Sequence, residues 1–174
     1  MEIPTQKELD ATRKEGFKPD AVTCLINDKK LLFFYKKDYK LWQLPQEGIE
    51  NSEIPLDAVR RNIEEEIGKD FITSCDPTFT FFGSDQIEML PGKTKETEIS
   101  TDEGTAVKMM GKKFYFFAIQ TETKDIKISE TQFDDYLWCK AKAAVYIAGT
   151  IHQPGKRRVT TKIVSLLKDL KLIE

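Results

Sequence analysis

Apolar residues in the first part of the chain come in short runs separated by polar turns. Such runs at residues 22–26, 31–35 and 41–44 predict three β-strands. Asn27 and Asp28 lie between the first two runs and are typical of a tight turn. The pattern therefore predicts a strand pair followed by a third extended segment.

From residue 55 onward the apolar spacing changes to every third or fourth position. Leu56, Val59, Ile63 and Ile67 follow this period, which is typical of a helix with one buried face. Pro55 suits the first position of such a helix, because a proline lacks the backbone N–H that would stay unpaired there. The sequence therefore predicts a helix that begins near Pro55.

The second half of the chain alternates between strand-like and helix-like patterns. Residues 78–83, 113–121 and 136–139 predict strands, whereas residues 141–148 predict a short helix and residues 159–172 a C-terminal helix. Interleaved strands and helices indicate a layered α/β core.

A polar insertion interrupts this pattern at about residues 89–107. It is rich in Lys, Glu, Thr and Gly, and we expect it to be mobile. No repeat and no long low-complexity linker divides the sequence. We therefore expect a single domain over residues 1–174.

Composition narrows the class of protein. The 174 residues are 40% hydrophobic, which is enough for one sizeable core, and the net charge of −2 gives no overall attraction to nucleic acid. Any contact with nucleic acid would have to be local. The N-terminal residues contain no apolar signal core, and no apolar run is long enough to span a bilayer. We expect a cytoplasmic protein without a membrane partner.

The cysteines do not indicate a disulfide framework or a zinc site. Cys24, Cys75 and Cys139 are odd in number and have no CxxC spacing. We interpret them as small core residues.

The helix predicted after Pro55 carries an acidic run, Glu64 to Glu66. At about 100° per residue, positions 62, 65 and 66 share one face, so Glu65 and Glu66 can project toward one point beside the preceding loop. Paired carboxylates suit Mg²⁺, which prefers oxygen ligands and can bridge to substrate phosphates. The alternative is a solvated acidic helix surface, which is what most charge runs are.

The segment from residue 42 to residue 70 reads WQLPQEGIENSEIPLDAVRRNIEEEIGKD and resembles a Nudix box, G-x5-E-x7-R-E-U-x-E-E-x-G-U with U aliphatic. Two positions depart from this pattern: Glu47 stands in place of the first Gly, and Asn62 in place of the first helical Glu. The positions that match it are Glu53, Arg61, Ile63, Glu65, Glu66 and Gly68.

Flanking segments extend the resemblance over nearly the whole chain. In order, they are FKPDAV, LWQLPQEGI, GKKFYFFAIQ, FDDYLW and GKRRV. Together they resemble the bacterial RNA pyrophosphohydrolases, which are related to dinucleoside polyphosphate hydrolases. The resemblance implies an α/β/α sandwich with a mixed sheet, a divalent cation such as Mg²⁺ or Mn²⁺, and a nucleotide or an RNA 5′ end as the partner.

The resemblance also implies roles for the residues of the box. Glu65 and Glu66 match metal-binding acids, with Asn62 at the position of a third. Asn62 keeps a carbonyl oxygen, but a neutral ligand holds Mg²⁺ more weakly than a carboxylate does. Glu53 and Arg61 match a pair that supports the loop against the helix.

Two further positions in this family bear on catalysis. A main-chain carbonyl near Glu47 completes the metal shell, and a side chain at this position restricts φ, so the loop is expected to be reshaped. Gln132 matches a further acid; its amide can orient a water but cannot take a proton from it. Glu130, Asp134 and Asp135 are nearby substitutes, with ordinary turn acidity as the alternative role.

Basic residues are the candidates for binding the substrate. Lys18 matches a residue that reaches a phosphate in this family, and Lys156 with Arg157 matches a basic pair at the C-terminal helix. The alternative for the basic cluster that ends with Arg158 is a solvated helix end.

An aromatic residue that stacks on a base is expected at the position of Gly155. His152 and Tyr146 are possible replacements, although plain exposure in a loop is favoured for His152. Trp42 and Trp138 are interpreted as core anchors.

Two functions remain open on the sequence. The first is metal-dependent hydrolysis of a phosphoanhydride in a 5′-triphosphorylated RNA end or in a nucleoside or dinucleoside polyphosphate. The second is a binding or regulatory function, in which a catalytically impaired protein binds nucleotides or RNA ends. The second follows from the departures at Glu47, Asn62 and Gln132.

Overall fold

A mixed β-sheet forms the centre of the protein, and helices cover both of its faces. The computed structural model describes residues 1–90, 92 and 95–174. The helices are α1 Gln6–Lys14, α2 Pro55–Glu66, α3 Lys69–Ile72, α4 Ala141–Thr150 and α5 Pro154–Asp169. The strands are β1 Phe17–Asn27, β2 Lys30–Lys36, β3 Leu41–Gln43, β4 Gln46–Gly48, β5 Cys75–Glu88, β6 Glu98–Ser100, β7 Ala106–Lys108, β8 Gly111–Thr121 and β9 Asp135–Cys139.

The order of the main strands is β3-β2-β1-β8-β5, with β4 paired to β1 and β9 paired to β2. β1 and β8 run parallel over a long register that begins at Phe17 opposite Gly111. The other pairs in this sheet are antiparallel. The sheet is therefore mixed, as the resemblance implied.

Two apolar cores lie on opposite faces of this sheet. Successive residues of β1 alternate between them, because side chains along a strand point to opposite faces. Cys24 packs toward α4 and α5, and Leu25 packs toward α1 and α2. Both residues are fully buried. Helices on both faces give the predicted α/β/α sandwich, which is confirmed.

The predicted helices exist, but their bounds differ from the prediction. The C-terminal helix begins at Pro154, earlier than predicted, so the basic residues of GKRRV lie inside its first turns. The sequence reading missed α1, although Thr5 and Glu8 form a capping box that marks its start. Within the described part of the chain, no helix is both long and apolar enough to cross a membrane.

The polar insertion has more secondary structure than was predicted. Strands β6 and β7 pair as an antiparallel hairpin inside it. Asn51 Nδ2 donates to the carbonyl of Ser100 at 3.0 Å and to Asp102 Oδ1 at 2.9 Å, so the hairpin is joined to the loop before α2. Residues 91, 93 and 94 of the insertion lie outside the described residues, and its mobility stays a prediction.

The cysteines are free thiols. Cys24 and Cys139 are buried in the core, as predicted, and Cys75 is half-buried.

Candidate active site

The loop that leads into α2 is held against the sheet as strand β4. Glu47 pairs with Ala21 of β1, and the main-chain N–H of Thr23 donates to the carbonyl of Pro45 at 2.9 Å. Glu47 has ordinary extended backbone and is absent from the residues with positive φ. Glu47 therefore needs no unusual backbone, since a strand accepts any residue with this conformation, and the expected reshaping of the loop stays a prediction.

Arg61 joins the loop to α2 through several groups. Its Nε donates to Glu53 Oε1 and its Nη2 to Glu53 Oε2, both at 3.0 Å. Nη2 also donates to the carbonyl of Gly48 at 2.9 Å, and Nη1 lies 3.0 Å from Glu47 Oε1. Burial opposes ionisation of Glu53, but the hydrogen bonds from Arg61 and from the Glu50 amide lower the pKa of its carboxyl. The geometry is that of a brace between loop and helix.

Glu66 is a half-buried acid at the end of α2. Burial, together with the neighbouring charges of Glu47 and Glu65, raises the pKa of its carboxyl to about 8. A hydrogen bond from the main chain of Gln46 acts in the opposite direction but is outweighed. Glu66 Oε2 is buried and has no hydrogen-bond partner among the described residues. The charge of Lys36 also lowers this pKa but is outweighed, so the environment of Glu66 favours the protonated acid.

Glu47 shares this crowded environment. Burial raises the pKa of the Glu47 carboxyl, and the nearby Glu65 raises it further, against the effect of Arg61. Glu65 is more open, with its side chain half exposed, and it lies 3.7 Å from Arg61 Nη1. The acid that departs from the family pattern thus lies beside the two acids that match it.

Asn62 lies deeper than the sequence indicated. It is fully buried, and its Nδ2 donates to Thr23 Oγ1 at 3.4 Å. Its Oδ1 has no hydrogen-bond partner in the described part of the chain. Asn62 therefore contacts the sheet, whereas Glu65 reaches toward solvent. The two side chains predicted to project toward one point beside the loop are Glu65 and Glu66, and both interact with Glu47 of that loop.

The donor atoms of this site fit a hard divalent cation. Glu47, Glu65 and Glu66 offer carboxylate oxygens and Asn62 offers an amide oxygen, and two of these oxygens are buried without a partner. Across residues 1–90, 92 and 95–174, no group of three or more His, Cys, Asp or Glu residues has the spacing of a ready metal site. Without a cation the carboxylates repel one another. They would therefore have to move closer together when they bind an ion.

Gln132 caps the end of α2. Its main-chain N–H donates to the carbonyl of Glu66 at 3.0 Å, and its Nε2 donates to the carbonyl of Glu65 at 3.3 Å. Carbonyls in the last turn of a helix have no partner within the helix, so both bonds satisfy groups that would otherwise be unpaired. Gln132 is thus near the acids, with its amide directed to the backbone.

The acids around Gln132 make contacts away from Glu65 and Glu66. Asp134 Oδ2 accepts from the main chain of Lys37 at 2.7 Å, and Asp135 Oδ1 accepts from the following amide at 2.8 Å. Glu130 is exposed and lies 3.5 Å from Lys127 Nζ. Asp134 therefore bonds to a segment distant in sequence, and Asp135 lies in β9, so the turn interpretation of the three acids stays a prediction.

Lys18 borders a cleft of about 360 Å³ beside the loop. Glu47 and Gly48 line the same cleft, with the insertion hairpin on the far side. Lys18 Nζ donates to both carboxylate oxygens of Glu96, each at 2.9 Å. The predicted phosphate-binding lysine therefore faces the candidate site and lies in contact with the insertion.

Lys156 lines a separate narrow pocket together with Trp42. This pocket measures about 20 Å³, room for about one water molecule, so it is too small for a nucleobase in this conformation. Burial, and the nearby Lys112, lower the pKa of the Lys156 ammonium. Arg157 is exposed, while Arg158 pairs with Asp85. The basic cluster is divided: one member faces inward and two lie at the surface.

The aromatic candidates are not gathered at the site. A Cβ at Gly155 would lie 3.0 Å from Ile87 Cγ2, so an aromatic residue has no room there unless Ile87 moves. Tyr146 is 75% exposed, and His152 is exposed, as favoured for it.

The two tryptophans pack against the cores, in agreement with their predicted role. Trp42 also contacts Tyr35, with the ring centroids 5.2 Å apart.

Two charged residues near the cleft were missed by the sequence reading. Asp20 is only 1% exposed, and Lys112 Nζ donates to its Oδ2 at 2.7 Å. The available signal was an acid inside an otherwise apolar strand, since an unpaired buried charge is costly and predicts a partner. The partner could not be identified without the parallel pairing of β1 with β8.

Comparison with known proteins identifies the family of the chain. The sequence model of the NUDIX domain matches residues 17–162. An RNA pyrophosphohydrolase from Bartonella henselae is 27% identical over 150 residues, which are 83% of this chain and 76% of that protein. An RNA pyrophosphohydrolase from Thioalkalivibrio sulfidiphilus is 32% identical over 83 residues, 47% of this chain and 40% of the relative, so the match spans less than half of that protein.

A solved structure shows the same fold at low sequence identity. The dihydroneopterin triphosphate pyrophosphohydrolase of E. coli superposes with a TM-score of 0.58 and 16% identity, covering 86% of this chain and 97% of that one. Since the domain match spans most of the sequence, the chain belongs to the Nudix family.

Proposed function

We propose that this protein hydrolyses a phosphoanhydride bond in a 5′-triphosphorylated RNA end or in a nucleoside or dinucleoside polyphosphate. The observation that carries the proposal is the carboxylate of Glu66, whose buried Oε2 has no partner among the described residues and whose neighbours are also acids. An acid kept largely out of water beside other acids is costly unless it serves a function. The RNA pyrophosphohydrolases similar to this chain support the substrate class.

Mg²⁺ or Mn²⁺ is the proposed cofactor. Glu65 and Glu66 would hold it, with Glu47 and the amide oxygen of Asn62 as the remaining candidates from the chain. Such an ion neutralises phosphate charge and lowers the pKa of a bound water. Glu47 lies beside Glu65, and this supports a site in which the carboxylate of Glu47 replaces the one missing at position 62.

The other residues of the site would act by positioning. Arg61 holds the loop through Gly48 and Glu53, and this keeps Glu47 next to α2. Lys18 would attract a substrate phosphate into the cleft, because it lines the cleft and its Nζ lies 3.8 Å from the position of a Cβ at Gly48. Gln132 would act through the helix end that carries Glu65 and Glu66.

Release of phosphate and pyrophosphate tests the proposal. The assay uses 5′-triphosphorylated RNA and diadenosine tetraphosphate with Mg²⁺ or Mn²⁺. We expect metal-dependent release that is lost in Glu66→Gln. Glu64→Gln is the matched control, since Glu64 is exposed two residues away and removal of its charge should leave activity within about twofold. No release from either substrate with either metal would reject the proposal.

A second candidate function is binding without efficient turnover. It is favoured by the neutral, buried Asn62 and by the Gln132 amide, which is directed to a backbone carbonyl. A binding protein would retain affinity for triphosphorylated RNA or diadenosine tetraphosphate while releasing no product. The same experiment with a parallel binding measurement therefore separates the two functions.

A further inference from the structure

Three lysines from β1, β8 and α5 lie near one another, and Lys18 among them borders the cleft. Lys18 of β1 and Lys112 of β8 are opposite each other in the parallel register, so their side chains lie on the same face of the sheet. Lys156 of α5 lies close enough to Lys112 for the two charges to interact. Lys112 thus connects two residues that were predicted to bind substrate from distant parts of the sequence.

Lys112 is held in place by an ion pair with Asp20. Its Nζ donates to Oδ2 of Asp20, at 2.7 Å, and Asp20 is 1% exposed. The second oxygen of Asp20, Oδ1, is buried without a hydrogen-bond partner among the described residues, and a Cβ at Gly48 would lie 3.7 Å from it. Asp20 therefore fixes the ammonium of Lys112 next to the loop that carries Glu47, while 26% of the Lys112 side chain remains exposed.

An anion from the insertion lies over these lysines. Lys18 Nζ donates to both carboxylate oxygens of Glu96, each at 2.9 Å. The charge of Lys112 also interacts favourably with this carboxylate. More than half of the Glu96 side chain is exposed, so the ion pair borders solvent. A carboxylate beside two ammonium groups occupies the position that a phosphate group of the substrate could take.

We propose that Lys18 and Lys112 form a phosphate subsite for the polyphosphate chain of the substrate, and that Glu96 occupies it as a displaceable competitor. This inference rests on the proposed function and adds Lys112 as a substrate-binding residue, with Asp20 as its positioning residue. A phosphate carries more charge and more acceptor oxygens than a carboxylate, so it displaces Glu96. No covalent step is involved.

The test is binding of inorganic tripolyphosphate by titration calorimetry in the presence of a metal chelator. We expect Lys112→Ala to weaken binding about tenfold or more, as for loss of one charge-assisted hydrogen bond. Glu96→Gln should tighten binding about threefold to tenfold, because Lys18 loses its competing partner. Lys113→Ala is the matched control: it removes the same charge from the next position of β8, where Lys113 lies over the Tyr115 ring. We expect less than a twofold change.

Lys112→Ala leaves Asp20 as a buried unpaired charge and can destabilise the fold. The double variant Asp20→Asn/Lys112→Gln removes both charges together, so the net charge of the subsite stays the same. It should fold and still show the tenfold loss. Wild-type affinity in this variant, an equal loss in Lys113→Ala, or unchanged binding in Glu96→Gln would each overturn the inference.

The calorimetry contains no metal and measures no turnover, so its outcome is independent of hydrolysis. Normal hydrolysis of triphosphorylated RNA with no effect of Lys112 on tripolyphosphate binding rejects the subsite alone. Lysine-dependent binding of tripolyphosphate by a protein that hydrolyses neither substrate rejects the proposed function alone.

Discussion

Arg61 and Glu53 form a fork-shaped ion pair, in which Nε and Nη2 donate to the two carboxylate oxygens over 3.0 Å each. The pair joins α2 to the turn before it. Glu53 also accepts a 2.8 Å hydrogen bond from the main-chain N–H of Glu50, so its carboxylate holds the loop and the helix at once. Planar guanidinium and carboxylate groups match each other in a way that a lysine ammonium cannot reproduce.

Arg61→Lys should lower the free energy of unfolding by about 1–3 kcal/mol, because the fork and the bond to the Gly48 carbonyl are both lost. Urea denaturation measures this change. Arg60→Lys is the control, since Arg60 is exposed and contacts only the Phe79 ring among its described interactions. Equal destabilisation by the two substitutions would show that the fork has no special weight.

The metal-free protein should lose stability as the pH rises. The pKa of Glu66 is about 8 in the folded protein against 4.5 for its ordinary value, so folding favours the protonated acid. This contribution is complete below pH 4.5 and is lost as the pH approaches 8, with a fall of at most about 2–3 kcal/mol between pH 6 and 8. Denaturant titrations with a chelator measure it.

Glu66→Gln should remove most of this pH dependence and should make the metal-free protein more stable than wild type at pH 8. A divalent cation should stabilise the wild type at pH 8 and have little effect on the variant. The assignment to Glu66 is wrong if the variant keeps the full pH dependence.

Asn62→Glu should make the stability of the fold depend more strongly on a bound divalent cation. The side chain is fully buried, so a carboxylate there should cost about 2–5 kcal/mol of unfolding free energy in a chelator. Mg²⁺ or Mn²⁺ should offset much of that loss and should raise the melting temperature more than in wild type. Asn62→Gln has the same size without the charge and should not gain this metal response. A large gain in hydrolysis by Asn62→Glu would favour the binding function for the natural chain.

Gly111→Ala should destabilise the protein by at least about 3 kcal/mol, since the added Cβ would lie 2.1 Å from the carbonyl oxygen of Ile87 and backbone cannot move aside cheaply. Gly149→Ala provides the contrast. No atom lies within 4 Å of a Cβ at this position of α4, and alanine favours helix, so stability should rise by about 0.5–1 kcal/mol. Thermal unfolding of both variants tests the pair.

The layered fold could be predicted because its elements have clear local patterns. The apolar period after Pro55 and the strand-like runs gave the sandwich and the position of the acidic helix. Long-range pairing could not be obtained in this way. Lys112 meets Asp20 only because two strands distant in sequence run parallel, and Glu96 reaches Lys18 only because the insertion folds back.

The backbone at Glu47 could not be inferred from the family pattern either. The family pattern has glycine there, and glycine was taken to imply unusual backbone, whereas the strand pairing of β4 requires only ordinary extended backbone. Asn62 was placed on the correct helix face, but helix geometry alone gives no depth. Its burial depends on the contact with Thr23 of the sheet.

The contacts of Arg13 limit where a recombinant fragment of this protein can begin. Its guanidinium donates to the carbonyls of Ile49 and Glu50, each at 3.0 Å, and pairs with Asp102 of the insertion at 3.2 Å. The match to the domain family begins at residue 17. A recombinant fragment trimmed to that boundary would lack the guanidinium that joins the two walls of the cleft. It would keep residues 47–69 of the box but lose the contacts that hold the loop at Ile49 and Glu50 next to Asp102.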